Sequence, residues 1–403
     1  MSTLSIELFA YPWDIADRGP QRFADECREL GVNRVHVATL YHSGKFLLPH
    51  NESHKVFFPE PGRLFVPADR GLFRGPLQPE SSALASTGWL EQLAEATTRT
   101  GIDLAAWTVF HHSSSLAGAR PEFAIRNLFG DVYPFALCPS QAAVRAYSLQ
   151  LASVIERAGV FRALDLETIG YLGYFHGHHH EVTAAPVGVL ETFLLSLCFC
   201  EACRSAGEQA GIAVEPLRCS LCRLLETRLG NDDASAFHPA NTEQLLTSIA
   251  LSEPLQQLIR VRTGIVTDLV RNIRAQWTDA DLAVFTSSFV GSPSNIWMEG
   301  VSMPDLRGVA DVFQLLAYSS DPDTVKSDLL FCRTQIEDPA QMNLTLNLGL
   351  PVTPTLGHAM AIAEFAWRQG VRRFAFFNYG LLGPGRLRWI REIAQALRTA
   401  GEG

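Results

Sequence analysis

The stretch from Phe161 to Glu181, FRALDLETIGYLGYFHGHHHE, decides the fold. Ala163, Asp165 and Glu167 recur with a period of two and share one face, while Leu164 and Leu166 point to the other. This is the pattern of a short strand with helices on one side and a barrel interior on the other. The strand ends in the carboxylate of Glu167 and opens into a loop crowded with Tyr171, Tyr174, His176, His178, His179 and His180. Closed (β/α) barrels carry catalytic groups at that end of their strands. The competing reading is that Glu167 caps a turn or pairs with a nearby arginine.

Working outward, four segments share one design, a helix ending in Gly followed by a β-branched residue and an apolar strand: ELGVNRVHVATLYH, RTGIDLAAWTVFHH, RAGVFRALDLETIG and RQGVRRFAFFNYG. Gly31, Gly101, Gly159 and Gly370 occupy the left-handed position that stops a helix. Four further strands are read between these repeats, giving strands over Ser5–Tyr11, Arg34–Tyr41, Asp103–Phe110, the opening stretch, Leu282–Ser288, Val312–Tyr318, Leu344–Gly349 and Phe374–Tyr379. Eight strands alternating with helices predict an α/β fold, a (β/α)8 TIM barrel spanning 1–403. Residues 182–254 are expected to be a helical, Cys-containing insertion after strand 4, and the Pro/Gly-rich segment from Ser43 to Thr87 a lid or small subdomain over the mouth. No Gly-rich phosphate fingerprint follows strand 1, which speaks against a Rossmann arrangement.

Composition narrows the class. With 47% hydrophobic and 19% charged residues the chain buries a large core. A formal net charge of −9 and the absence of any lysine/arginine run argue against a nucleic-acid partner. The sequence has no signal-like start and no apolar run long enough for a bilayer, so a cytoplasmic location without membrane association is expected. Five of the eight cysteines fall between Cys198 and Cys222, as CFCEAC and CSLC. That clustering fits a metal site in a reducing compartment better than a disulfide framework.

The predicted strand ends gather Asp14, Tyr41, His42, His111, His112, Glu167, Ser287, Ser288, Gln314, Tyr318, Asn347, Asn378 and Tyr379 at one edge. Neutral hydrogen-bonding groups, rings for stacking on sugar faces and two carboxyls suit a polyhydroxylated substrate. Glycosidic hydrolysis needs one group to protonate the leaving oxygen and another to activate water, and Asp14 and Glu167 are the expected pair. Asp165, deeper on the same face, would favour Glu167 as proton donor. Strand 7, MNLTLNLG, carries no acid, so the second acid is missing from its usual strand and an inverting geometry is expected. His112 and His176 would orient the substrate or tune Glu167, with His42, His179, Asn347 and Tyr379 holding hydroxyls. The run HGHHHE could instead hold a divalent metal.

Two resemblances add to this. CPSQAAVR after strand 3 and CFCEAC after strand 4, with a glutamate closing strand 4, resemble glycoside hydrolase family 42 β-galactosidases. The resemblance implies an acid/base at Glu167 and a structural zinc on Cys138, Cys198, Cys200 and Cys203, with Cys219 and Cys222 as competitors for two places. More weakly, Asp14 after strand 1 and Asn347 on strand 7 are similar to the inverting sialidases of family 156. There an aspartate at the strand-1 end works with a histidine from the strand-3 loop. Here that loop reads DVYPFALC, His112 is the histidine on offer, and Arg126 is placed to bind a substrate carboxylate. The expectation is a glycosidase acting on a small glycan or glycoside, with sialidase-like action as a finer variant, structural zinc, no organic cofactor, and homo-oligomerisation open. The alternatives are a metal-dependent sugar isomerase or epimerase and a non-catalytic carbohydrate-binding barrel.

Overall fold

A computed structural model describes residues 4–177, 180–185, 187–230, 242–286 and 292–402. Eight parallel strands form the core: β1 (Ser5–Ala10), β2 (Arg34–Tyr41), β3 (Asp103–Val109), β4 (Ala163–Glu167), β5 (Asp281–Phe285), β6 (Val312–Ala317), β7 (Met342–Asn347) and β8 (Arg373–Phe377). Each pairs with its successor, and β1 pairs with both β2 and β8, so the sheet closes into a (β/α)8 barrel. The predicted glycines act as expected. Gly31, Gly101, Gly159 and Gly370 all have positive φ, between 69° and 93°, where a side chain would be strained.

The helices Pro20–Leu30, Trp89–Thr100, Ala142–Arg157, Glu253–Gln276, Pro322–Gln335, Leu356–Arg368 and Pro384–Glu402 surround the sheet. The β5–β6 crossover departs from the expected alternation. Its described part holds only two 3-10 segments, Pro293–Glu299 and Pro304–Leu306, because Pro293, Gly300, Pro304 and Gly308 break any longer helix. A cavity of about 540 Å³ lies along that gap, lined by Ile259, Trp297, Met303 and Phe331 among others.

β1 ends one residue earlier than predicted. Pro12 fixes φ directly after Tyr11 and opens a short helix, Pro12–Arg18, so Asp14 sits in a first helical turn. The Ser43–Thr87 segment folds over this region. Its short strands Phe46–Leu47 and Val56–Phe57 pair with each other, and Phe46, Phe57 and Phe65 pack 5.1–5.7 Å from Trp13.

After β4, the helices Val189–Ser196, Glu201–Gln209, Val214–Leu229 and Thr242–Ala250 build a second apolar cluster around Phe193, Leu194, Leu221, Leu225 and Leu258. Among the described residues, no helix is long and apolar enough to cross a membrane.

Candidate active site

Inside the barrel, the period-two faces of the strands meet. His36 of β2 lies between two carboxylates, with Nδ1 2.5 Å from Asp165 of β4 and Nε2 2.7 Å from Glu7 of β1. Asn343 Nδ2 donates to Glu7 at 2.6 Å, and Gln314 Nε2 lies 3.4 Å from Asp165. Phe9 stacks on the imidazole at 4.3 Å. The two carboxylates outweigh burial and push the His36 pKa up to about 9, so the ring is an imidazolium near neutrality. Two charged members of this cluster, Glu7 and His36, were missed in the sequence reading. Glu7 lies between Ile6 and Leu8 and His36 between Val35 and Val37, and an ionisable group flanked by apolar residues in a strand was the available signal.

One rung above Asp165 stands Glu167. The Trp107 indole of β3 donates to its carboxylate. Burial pushes the Glu167 pKa up to about 7, with Trp107 pulling it down and the Asp165 charge adding to the rise. Tyr11, Tyr41 and Tyr318 lie near enough for the Glu167 charge to disfavour their ionisation, after burial itself. Tyr11 and Tyr41 join hydroxyls at 3.2 Å, and Trp107 packs on Tyr41, Phe9 and Phe377. Directly after Glu167, Thr168 has φ 52°, a strained conformation for a β-branched residue. The sequence reading overlooked Trp107, Tyr11 and Phe377 here; Trp107 follows Ala105 on the inward parity of β3 and was legible from it.

The predicted histidines divide. His42, His112 and His176 form a column: His42 stacks on Tyr41 at 4.2 Å and on His112 at 4.5 Å, and His112 meets His176 at 4.1 Å. Burial first, then the neighbouring imidazoles, hold His112 well below the ordinary imidazole range. His176 stacks on Phe135 and opens onto a cavity of about 520 Å³ lined by Tyr133, Tyr174, His180 and Thr192. His111 turns the other way, 2.9 Å from Ser148 of the surrounding helix. His178, His179, Ser287 and Ser288 lie outside the described residues.

Other expected positions are engaged elsewhere. Asp14 is not presented at a strand end: Oδ1 receives a hydrogen bond from Asn51 at 3.3 Å, and Oδ2 is buried against Gly380 with no hydrogen-bond partner among the described residues. Burial pushes the Asp14 pKa up to about 7, with Asn51 opposing. The Tyr379 hydroxyl donates to Glu26 at 2.7 Å, on the helix Pro20–Leu30, and its ring contacts His50. Asn347 accepts from Gly349 N–H at 2.9 Å within its own turn. Arg126 donates to Gly130 O at 2.9 Å and lines a different cavity, beside Cys200, Arg204 and Arg218. Its guanidinium thus lies beside the cysteines; it was expected to bind a substrate carboxylate.

Four cysteines converge. Cys138, after the strand Val132–Leu137, meets Cys198, Cys200 and Cys203 at the start of the helix Glu201–Gln209, and all four are buried. Their sulfurs lie within 4.8 Å of one another, with Cys138 3.5 Å from Cys203 and 3.7 Å from both Cys198 and Cys200. A tetrahedral ion with metal–sulfur bonds of about 2.3 Å requires sulfurs about 3.8 Å apart. The Arg126 backbone N–H, 3.4 Å from Cys198 Sγ, adds a donor to the thiolate set. The cluster can therefore bind a metal such as zinc. Cys219 and Cys222 do not join it; they lie on the helix Val214–Leu229, against Glu215 and Leu128 respectively.

Compared with protein-family models and with curated proteins, the sequence matches none. Its fold does find solved relatives in shape. A β-galactosidase from the psychrophilic Marinomonas ef1 superposes with a TM-score of 0.57 at 12% identity, covering 99% of this chain and 60% of that one. The β-galactosidase of the Antarctic haloarchaeon Halorubrum lacusprofundi gives 0.57 at 13%, covering 99% and 58%. The α-L-fucosidase isoenzyme 2 of Paenibacillus thiaminolyticus gives 0.53 at 12%, covering 100% and 50%. At these identities the likeness establishes the barrel. The chain spans only half to three fifths of the length of these proteins.

Proposed function

We propose that the protein is a glycoside hydrolase acting on a small glycan or glycoside, with Glu167 as the proton donor to the leaving oxygen. The observation that carries this reading is a half-buried carboxyl at the end of β4, raised to about 7, gripped by Trp107 and ringed by Tyr11, Tyr41 and Tyr318. A general acid must hold its proton near the working pH and release it in the transition state, and this environment does both. The aromatic walls suit the apolar faces of a sugar ring. The His42–His112–His176 column, with His112 neutral, offers acceptors and donors to hydroxyls on the side facing the 520 Å³ cavity.

The second group is assigned to Asp14 in an inverting scheme, in which the two carboxyls stand about 6.5–9.5 Å apart with water between. Burial first, then the charges of Glu167 and Asp14, disfavour ionisation of Tyr11, so both acids lie within electrostatic reach of that ring. For Asp14 to activate water, the contact with Gly380 has to open. Asp14→Asn therefore decides whether the role falls there. We further assign the four-cysteine cluster to a structural zinc.

The test is hydrolysis of a panel of aryl and alkyl glycosides by wild type and Glu167→Gln. Loss of a general acid costs about 10²–10⁴-fold in kcat, most with alkyl leaving groups and least with dinitrophenyl ones that depart unprotonated. Equal turnover by wild type and variant on an alkyl glycoside would overturn the assignment.

A further inference from the structure

We infer that Asp165, held against His36, is a positioning residue that sets the proton affinity of Glu167 from inside the barrel. The inference rests on the proposed role of Glu167 as acid, and gives that site its pH control.

The geometry is a vertical stack on one face of β4. Asp165 and Glu167 are two residues apart and point the same way, with Trp107 of the neighbouring strand paired in register with Asp165 and bonded to Glu167. Asp165 has no route to water, being 0% exposed. His36 Nδ1 stands 2.5 Å from its carboxylate, with the other ring nitrogen on Glu7. A buried imidazole between two carboxylates is an imidazolium, and the three groups together carry one net negative charge. Below them, Arg34 is 2.8 Å from Asp281, and Arg373 lies 3.7 Å from Glu7 and 3.6 Å from Asp281. The negative end of the cluster therefore faces upward, toward Glu167.

The remaining surroundings leave Asp165 as the one close ionised neighbour of Glu167 among the described residues. β1, β2 and β6 bring the phenols Tyr11, Tyr41 and Tyr318, all neutral at ordinary pH, and β3 brings the Trp107 indole. β8 brings Phe377, packed on Trp107, and β5 brings Phe285, packed on Phe9. At β7 the inward groups, Asn343 and Thr345, are uncharged. Asp165 thus works against ionisation of Glu167, and extends the pH range over which the acid keeps its proton.

The experiment is carbon-13 NMR titration of glutamate-labelled protein, with the Glu167 signal identified by its loss in Glu167→Gln. In Asp165→Asn the Glu167 midpoint should fall by about one pH unit, and the alkaline limb of kcat/KM should move down with it. A midpoint that stays in place in a folded Asp165→Asn protein overturns the inference, whatever the substrate. A midpoint that moves while no glycoside is cleaved upholds the inference and defeats the proposed function. Nitrogen-15 histidine spectra of wild type supply a second measurement independent of any variant: His36 should be an imidazolium at pH 7, and a neutral ring there overturns the inference.

Discussion

Trp107 and Glu167 are joined by an indole-to-carboxylate hydrogen bond that crosses from β3 to β4 and climbs one rung of the barrel. The donor favours the ionised carboxylate, opposing the burial and the Asp165 charge that favour the acid. Replacing Trp107 by Phe keeps a ring against Tyr41 and Phe377 and deletes the donor. The Glu167 midpoint should then rise above about 7, opposite in sign to Asp165→Asn, and the pH–rate profile on a cleaved glycoside is the readout. Stability should fall by about 1 kcal/mol for the lost bond.

His36 makes stability depend on pH. Its folded pKa, about 9, exceeds the ordinary value of 6.5, so its contribution is fully present below about 6.5 and disappears as pH rises through 9. The shift corresponds to roughly 3 kcal/mol as an upper bound. Urea unfolding at pH 6, 8 and 10 should show wild type losing stability across this window and His36→Gln losing much less.

Asp14 acts with the opposite chemistry and the same sign. Its folded pKa is raised to about 7 by burial, so its neutral form stabilises the fold at low pH, and that advantage is lost as pH rises through 7. Asp14→Asn should flatten the midpoint-versus-pH curve between about 4 and 7. A slope equal to that of wild type would show that Asp14 is ionised in the fold.

Gly380 is the cover on Asp14. A Cβ built there would stand 1.8 Å from Asp14 Oδ2 and 2.4 Å from its Cγ, so the carboxyl would have to shift. Gly380→Ala is therefore expected to cost about 1–3 kcal/mol by overpacking, and Gly380→Ala combined with Asp14→Ala should recover part of it. Chemical denaturation of the two proteins checks both statements.

Metal content distinguishes the cysteines. Elemental analysis should find about one zinc per chain in protein made in zinc-supplemented medium. Cys200→Ser should lose it and lower the melting temperature, while Cys219→Ser and Cys222→Ser should keep it. Full zinc content in Cys200→Ser would remove the assignment.

The barrel was legible because two regularities reinforced each other: helix-ending glycines such as Gly31 and Gly370, and inward/outward alternation such as Asp165 against Leu166. The convergence of Cys138 with CFCEAC was carried by the resemblance and by cysteine spacing. Side-chain direction beyond the strand ends was not legible. Pro12 turns the chain into a helix before Asp14, and Tyr379 finds Glu26 across 353 residues of sequence. Those long-range partners have no local signature. Nor does the division between His112, which joins the column, and His111, one residue earlier, which bonds the outer helix.

The four cysteines have a consequence for the unfolded chain. Cys138 and Cys198 are 60 residues apart, and that interval contains the helix Ala142–Arg157, all of β4 and the loop carrying His176. An ion gripped by both ends before the barrel closes would tie this segment into a ring, and in a loop of that length the lost freedom of the disordered chain amounts to about 4 kcal/mol. Glu167 lies inside the ring. The strand that carries the acid would thus be confined before it takes its place between β3 and β5.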